Sequence, residues 1–308
     1  MKLNKNKTTF GRHETFPLRY GWLTKGVEVV GKHKDIFHER EHENAMTQLG
    51  IGRNMVNALY YWLQVTGLVK FDAGVGEVSE LGKALLGHDG DPYLEDEATL
   101  WIVHWLIASN VELATGFFWF FNYYSAPRFR DKDAMQSLED FVEQELGIKR
   151  AHTTLKSDLS TLLRMYSPVA SRGGEDHLDS PLASLQLINA EEGYGYSSLR
   201  TLRPFLPPVA MHFALQQRFA DQVGQQGNKQ EAVIPVRELL YGGTGWAAPG
   251  AVFRLTEEGL MTCLNQVMER YPLTYELRDT AGLNQLYRLT PPQQPKDVLS
   301  NYYKGKTA

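Results

Sequence analysis

Between residues 44 and 86 the pattern of apolar and polar positions changes period twice. Residues 44–49 suit a short helix, closed by the turn Gly50-Ile51-Gly52. A second helix follows, with Val56, Leu59, Tyr60 and Leu63 at i, i+3, i+4 and i+7, the spacing of one buried helical face. Its opposite face carries Asn54, Asn57, Tyr61 and Gln64, and Gly67 closes it. Residues 68–71 read as a strand, 72–76 as a tight turn, and Glu77-Val78 as the start of a return. Helix, turn, helix and hairpin in this order predict a winged helix, a module that often lays its second helix in a DNA major groove.

Elsewhere the pattern is mostly helical. Trp22, Leu23, Val27 and Val30 have helical spacing, and Gly31 reads as a stop. Residues 87–94 form a Gly/Asp/Pro loop, and 95–166 read as helical with a loop near Ser125-Ala126-Pro127. Within that stretch, residues 100–121 predict one buried core helix. Leu155, Leu159, Leu162 and Leu163 predict an amphipathic helix over 150–166, with Thr153 or Thr154 as cap. Arg172-Gly173-Gly174 reads as a loop tip. Residues 204–220 are a helix opened by prolines, and 221–231 a polar linker or exposed loop. Beyond it, 252–255 is a short strand candidate, Leu260, Leu264 and Val267 mark a helix face, and 273–277 pairs with 286–289 around a turn at 279–282. That order resembles a second, degraded winged helix. Residues 291–308, basic at their end, read as a mobile tail.

Composition sharpens the partner. The net charge is −4, which does not mark a general polyanion binder. Its distribution says more: residues 1–70 hold 11 Lys/Arg against 6 Asp/Glu, whereas 71–145 hold 4 against 15. A basic module joined to an acidic one suits an oriented DNA contact. The single cysteine, Cys263, excludes an intrachain disulfide framework and a thiolate zinc site, and its apolar surroundings make it a small core residue. The basic N-terminus has no apolar segment after it, so it does not read as a signal peptide. His104, Asn110 and Glu112 interrupt the most apolar run, which argues against a membrane span. These features predict a cytoplasmic protein with no membrane contact.

Three groups of residues are candidates for chemistry. Asn54, Asn57 and Gln64 carry amides that can pair with base edges, Tyr61 shares their face, Arg53 lies at the helix start where phosphate is favoured, and Lys70 follows in the hairpin. His13, Glu14 and Arg19 lie in the block FGRHETFPLR, where a His and a Glu beside arginines suit proton transfer or phosphate contact. The same block also suits a salt-bridged helix start anchored by Phe10 and Phe16. Glu175, Asp176 and Asp179 crowd together as carboxylates that could ligate Mg²⁺. Gly242-Gly243-Thr244-Gly245 lacks the lysine of a phosphate-binding loop.

Residues 10–25 (FGRHETFPLRYGWLTK), 154–166 (TLKSDLSTLLRMY), 175–188 (EDHLDSPLASLQLI), 249–256 (PGAVFRLT) and 279–283 (DTAGL) resemble, in the same order, a family of bacterial proteins encoded with DNA sulfur-modification genes. The resemblance implies a magnesium-dependent DNA-nicking protein that prepares a strand for phosphorothioation in antiphage defence. Its implied partners are DNA, a cysteine desulfurase, an ATPase and an ATP-pyrophosphatase-like sulfur-modification enzyme. It also raises the interest of His13, Glu14 and Arg19, which lie in its most recognisable block. Ser180 stands where some relatives have cysteine, which argues against a required thiol there.

The reading is therefore a mainly α (α+β) chain: an N-terminal winged helix (1–90), a helical middle (91–230) and a C-terminal winged-helix-like α/β unit with its tail (231–308). Its leading function is a nicking endonuclease in which Mg²⁺, held by Glu14 or the acidic loop, activates water while His13 acts as base. The alternative is a non-enzymatic winged-helix DNA-binding adaptor or transcription regulator. A scaffold whose wing never meets DNA is the third possibility.

Overall fold

The computed structural model describes residues 3, 7–167, 180–226, 232–242, 245–280 and 282–307. Among them the chain is mixed α/β and mainly helical, with three small antiparallel sheets. It begins with α1 (Trp22–Lys32), α2 (His42–Leu49), α3 (Arg53–Val65), the hairpin β1 (Val69–Asp72) and β2 (Val75–Val78), and α4 (Glu80–Leu86). The stripes that predicted α1 and α3 are buried at Trp22, Leu23, Val27 and Val30 and at Val56, Leu59 and Leu63. Ser79 ends the hairpin and starts α4, its hydroxyl accepting the Gly82 N–H at 2.9 Å. Tyr61, expected on the outer face of α3, is buried instead. Its ring lies beside His13 and Trp62, and its hydroxyl donates to the Leu113 carbonyl at 2.9 Å. Helix α3 is covered on two flanks rather than one, and a single-stripe pattern does not announce the second.

The apolar run 100–121 is two helices, α5 (Glu97–Ala108) and α6 (Thr115–Asn122). Asn110 divides them. Its amide donates to the Val65 carbonyl and its side-chain oxygen accepts the Leu113 N–H, both at 2.9 Å, so the chain turns where periodicity would carry the helix on. Every residue of α5 from Ala98 to Ala108 is buried, as expected of a helix apolar on all sides. None of the described helices is long and apolar enough to cross a membrane.

Next come β3 (Arg128–Phe129), α7 (Asp131–Asp140) with a π-helical turn at Phe141–Glu145, and α8 (His152–Tyr166). Helix α8 is preceded by Ala151 without a side-chain cap, so neither Thr153 nor Thr154 serves as one. Strands β4 (Asn189–Glu191) and β5 (Gly195–Ser197) join β3 in the order β3-β5-β4. Helix α9 (Pro208–Gln226) continues through the first half of the stretch that reads as a linker. It is followed by β6 (Ala232–Pro235), α10 (Val236–Leu240), α11 (Pro249–Val252), α12 (Glu257–Arg270), β7 (Tyr275–Thr280), β8 (Leu283–Arg288) and α13 (Pro295–Thr307). Strands β7 and β8 pair as expected, with Leu277 opposite Leu286, but they run further than expected, so that Asp279 and Thr280 of the expected turn are paired with Asn284 and Leu283. The strand expected at 252–255 is absent: α11 ends there, and Leu255 makes one parallel bridge to Thr201 before Thr256 caps α12.

The C-terminal residues are not loose. In α13, Val298, Leu299 and Tyr303 are buried, and the helix packs on α4 and α9. The Tyr303 and Thr99 hydroxyls are 2.7 Å apart, and Lys306 reaches Asp96 at 2.6 Å. Two apolar turns in a polar segment are too short a signal to read from sequence.

Two core histidines tie distant segments together. His104 of α5 accepts from the Tyr166 hydroxyl at 2.7 Å and donates to the Val252 carbonyl at 3.0 Å. His212 of α9 lies between the Tyr275 hydroxyl and the Gln293 amide oxygen, at 3.0 and 3.2 Å. Burial lowers the pKa of His104 to about 3 and of His212 to about 4. The unfolded chain takes up both protons near pH 6.5, so between that pH and about 4 protons favour the unfolded state. Stability is fully present above pH 6.5 and falls with acidification, by about 1.4 kcal/mol per pH unit for each histidine. Urea midpoints should decrease in the order pH 7, 5.5 and 4.5, and His212→Gln should make the decrease shallower.

Candidate nucleic-acid interface

Helix α3 presents its polar residues at one end and along one edge. Arg53 and Asn54 are exposed in the first turn, Asn57 is half-buried one turn on, and Gln64 donates to the Tyr60 hydroxyl at 3.3 Å. Gly52 precedes the helix with no side-chain cap, so the first N–H groups of α3 are open to an outside acceptor beside the Arg53 guanidinium. Lys70 is exposed on β1, opposite Glu77 of β2. Past the middle of the helix, Arg12 is close enough to act electrostatically on Tyr60 and Tyr61. Thirteen residues make α3 roughly 20 Å long at about 1.5 Å per residue, with its own cation, Arg53, at the start. Tyr61, buried as described, presents no surface to a ligand in this structure.

The conspicuous block at 10–19 lies directly behind this helix, as a strap between α3, α6 and α8. Thr9 and Thr115 exchange hydrogen bonds, the Thr9 N–H to the Thr115 hydroxyl at 3.0 Å and the Thr115 N–H to the Thr9 carbonyl at 3.3 Å. Gly11 donates its N–H to Asp158 Oδ1 at 2.6 Å. The Thr15 N–H donates to His13 Nδ1, so the ring proton sits on Nε2 and donates to the same Asp158 oxygen at 2.7 Å. The His13 ring stacks on Trp62 at 6.2 Å, and Trp62 Nε1 donates to the Phe16 carbonyl at 3.1 Å. Arg164 of α8 holds the Thr15 carbonyl. Glycine is required twice here. Gly11 has φ +76°, and a Cβ on Gly116 would come within 2.6 Å of Asp158 Oδ2.

The expected site residues therefore occupy different positions. His13 has 0% exposure and two ring partners, which suit it to holding the strap. Glu14 is exposed, with a left-handed backbone at φ +49°. Arg19 is half-buried, with its guanidinium near the Phe16 and Trp22 rings. Glu175, Asp176 and Asp179 lie outside the described residues. Among the described residues no three His, Cys, Asp or Glu side chains converge on a point that could hold a metal, so no such cage can be assigned there. Asp158 escaped the sequence reading, although it had a signal: it is the one carboxylate within the buried stripe formed by Leu155, Leu159 and Leu162. Removing the carboxylate leaves the His13 Nε2–H and the Gly11 N–H without an acceptor, so Asp158→Ala should lower unfolding free energy by about 1–3 kcal/mol for each donor. Gly116→Ala should also destabilise, by displacing the carboxylate. Urea denaturation followed by tryptophan fluorescence measures both.

The fold and the block can be set beside known proteins. A family described as "Protein of unknown function (DUF4007)" matches residues 10–303. No curated protein matches the sequence. A solved structure described as magnesium ion-bound SspB superposes with a TM-score of 0.84 at 26% identity, covering 97% of this chain and 90% of that one. A second SspB crystal structure gives a TM-score of 0.82 at 27% identity, with coverages of 96% and 88%. The match to SspB thus extends over the whole fold, and with residues 10–303 matched the chain belongs to the DUF4007 family.

Proposed function

We propose that this chain is a DNA-nicking protein of an Ssp-type phosphorothioate-modification system linked to phage defence, which holds duplex DNA with a winged helix made of α2, α3 and the β1–β2 hairpin. The observation that carries the proposal is the likeness to SspB over 97% of the chain. It agrees with the resemblance of the sequence blocks to proteins encoded with DNA sulfur-modification genes. The exposed Arg53 and Asn54, the half-buried Asn57 and the uncapped start of α3 supply phosphate and base-edge donors on one surface. Lys70 adds a charge on the hairpin.

The proposal includes Mg²⁺, since one SspB structure is described as magnesium-bound. Among the described residues no three His, Cys, Asp or Glu side chains form a cage for it. What this chain's own residues do is position and neutralise: Arg53 meets phosphate, Arg19 and the exposed Glu14 lie at the surface of the 10–19 strap, and buried His13 keeps that strap in shape from beneath. The cysteine desulfurase, the ATPase and the ATP-pyrophosphatase-like enzyme are the proposed partners.

The complete burial of His13 favours a second reading, in which the chain binds DNA and recruits the modification enzymes without cutting. Supercoiled plasmid separates the two. The nicking reading expects open circles with Mg²⁺, none with EDTA, and fewer with Glu14→Gln; closed circles under every condition leave the adaptor. Duplex binding tests the helix. Arg53→Glu should weaken it at all sequences and lower the slope of log affinity against log salt by about one. Asn57→Ala should weaken binding with little change in that slope, and a double variant that binds as the wild type does would remove α3 from the interface.

A further inference from the structure

A second surface, far along the chain from α3, has the chemistry of a nucleic-acid contact. A cavity of 810 Å³ opens at the starts of α5 and α12, lined by Trp101, Arg203, Phe205 and Thr256 among others. Arg203 is its central cation. Its backbone is strained, with φ +43°, and its guanidinium lies 5.6 Å from the Trp101 ring centroid. Two guanidinium nitrogens reach only carbonyls, Leu185 at 3.3 Å and Gln186 at 3.4 Å, and Nε has no partner. Arg200 and Arg254 lie close behind. Arg200 donates to the Leu240 and Leu255 carbonyls, and fully buried Arg254 donates to the Ser198 hydroxyl and to the Tyr124 and Phe120 carbonyls. Among the described residues no carboxylate forms an ion pair with any of the three, and repulsion from Arg200 and Arg203 adds to burial in lowering the pKa of Arg254 to about 9.

Three clustered guanidiniums with neutral partners leave positive charge uncompensated in a poorly solvated place, which an incoming anion relieves. The rim supplies stacking surface: Phe205 is 83% exposed and Leu202 46%. An exposed aromatic beside an arginine suits a base and its phosphate. Two carboxylates, Glu97 and Glu258, also line the cavity. Glu97 accepts from Trp101 Nε1 at 3.1 Å, and both are solvated. Their repulsion favours a phosphodiester with one charge per nucleotide over a nucleoside triphosphate.

We propose that the cavity at Arg203, with the 199–206 segment as its rim, binds a single-stranded segment of DNA, Phe205 stacking a base and Arg203 meeting the phosphodiester. The site deepens the reading of the chain as a DNA-processing protein and rests on it: α3 holds the duplex, and this cavity holds a strand released from pairing.

The full-length protein is titrated into a fluorescein-labelled 12-nucleotide oligodeoxythymidine and, separately, into a labelled duplex, and anisotropy is read. Phe205→Ala, a change at an exposed position, should weaken single-strand binding about tenfold and leave duplex binding unchanged. Oligonucleotides carrying 5-iodouracil should cross-link to peptides containing residues 199–206. Single-strand affinity indifferent to Phe205, with cross-links elsewhere, overturns this site and leaves the exposed ridge as a protein contact. Duplex binding by α3 survives that outcome, whereas wild-type protein that binds neither DNA form overturns both proposals.

Discussion

A single buried carboxylate organises the N-terminal part of the molecule. Asp158 lies on the apolar face of α8, where an unsatisfied charge would be costly. Its Oδ1 is satisfied by two donors from 145 and 147 residues away, His13 Nε2 and the Gly11 N–H. Those bonds draw the N-terminal strap across α8, and the strap draws α3 with it through Trp62. Glycines at 11 and 116 are what let the backbones come close enough, one by its left-handed conformation and one by leaving space for the carboxylate.

The consequence is a division between the two sides of α3. The side facing the strap is taken up by Tyr61 and Trp62, while Arg53 and Asn54 remain outward at the start of the helix. Any contact through α3 is therefore made by a helix whose back is fastened through the strap to α6 and α8. The far end of the chain reinforces this frame, since α13 packs on α4 and α9 and its Tyr303 reaches Thr99 of α5. Charge is handled differently in the core around α9–α12. Arg254 and His104 are buried against carbonyls and hydroxyls rather than carboxylates. Such neutral partners satisfy donors without cancelling charge, which is why one protonation state or one local anion matters there more than at the surface.

The conspicuous block FGRHETF invites a chemical interpretation because it concentrates His, Glu and Arg. In the folded chain its histidine is the most buried of its polar residues and its glutamate is exposed, so the block combines an anchor with a surface. The alternative that the sequence also allowed, a salt-bridged helix start, is not what His13 forms: α1 begins later, at Trp22, with no side-chain cap, and His13 fastens the strap to α8 instead.

Periodicity and turn residues were enough for the elements whose stability is local: α1, the α2–turn–α3–hairpin order, α8, α12 and the β7–β8 pair each show in spacing and in Gly, Ser or Asp punctuation. They were enough, too, for the buried Cys263 and for the amide-rich start of α3. Contacts between distant segments were not legible. The break at Asn110 depends on a carbonyl in α3, the burial of Tyr61 on a carbonyl at Leu113, the docking of the C-terminal residues on α4, and the role of Asp158 on a strap near the N-terminus. Each is a polar or shape match between residues tens to hundreds of positions apart. A local pattern records which face of a helix is apolar, but only the assembled chain decides what that face, and any polar group within it, will meet.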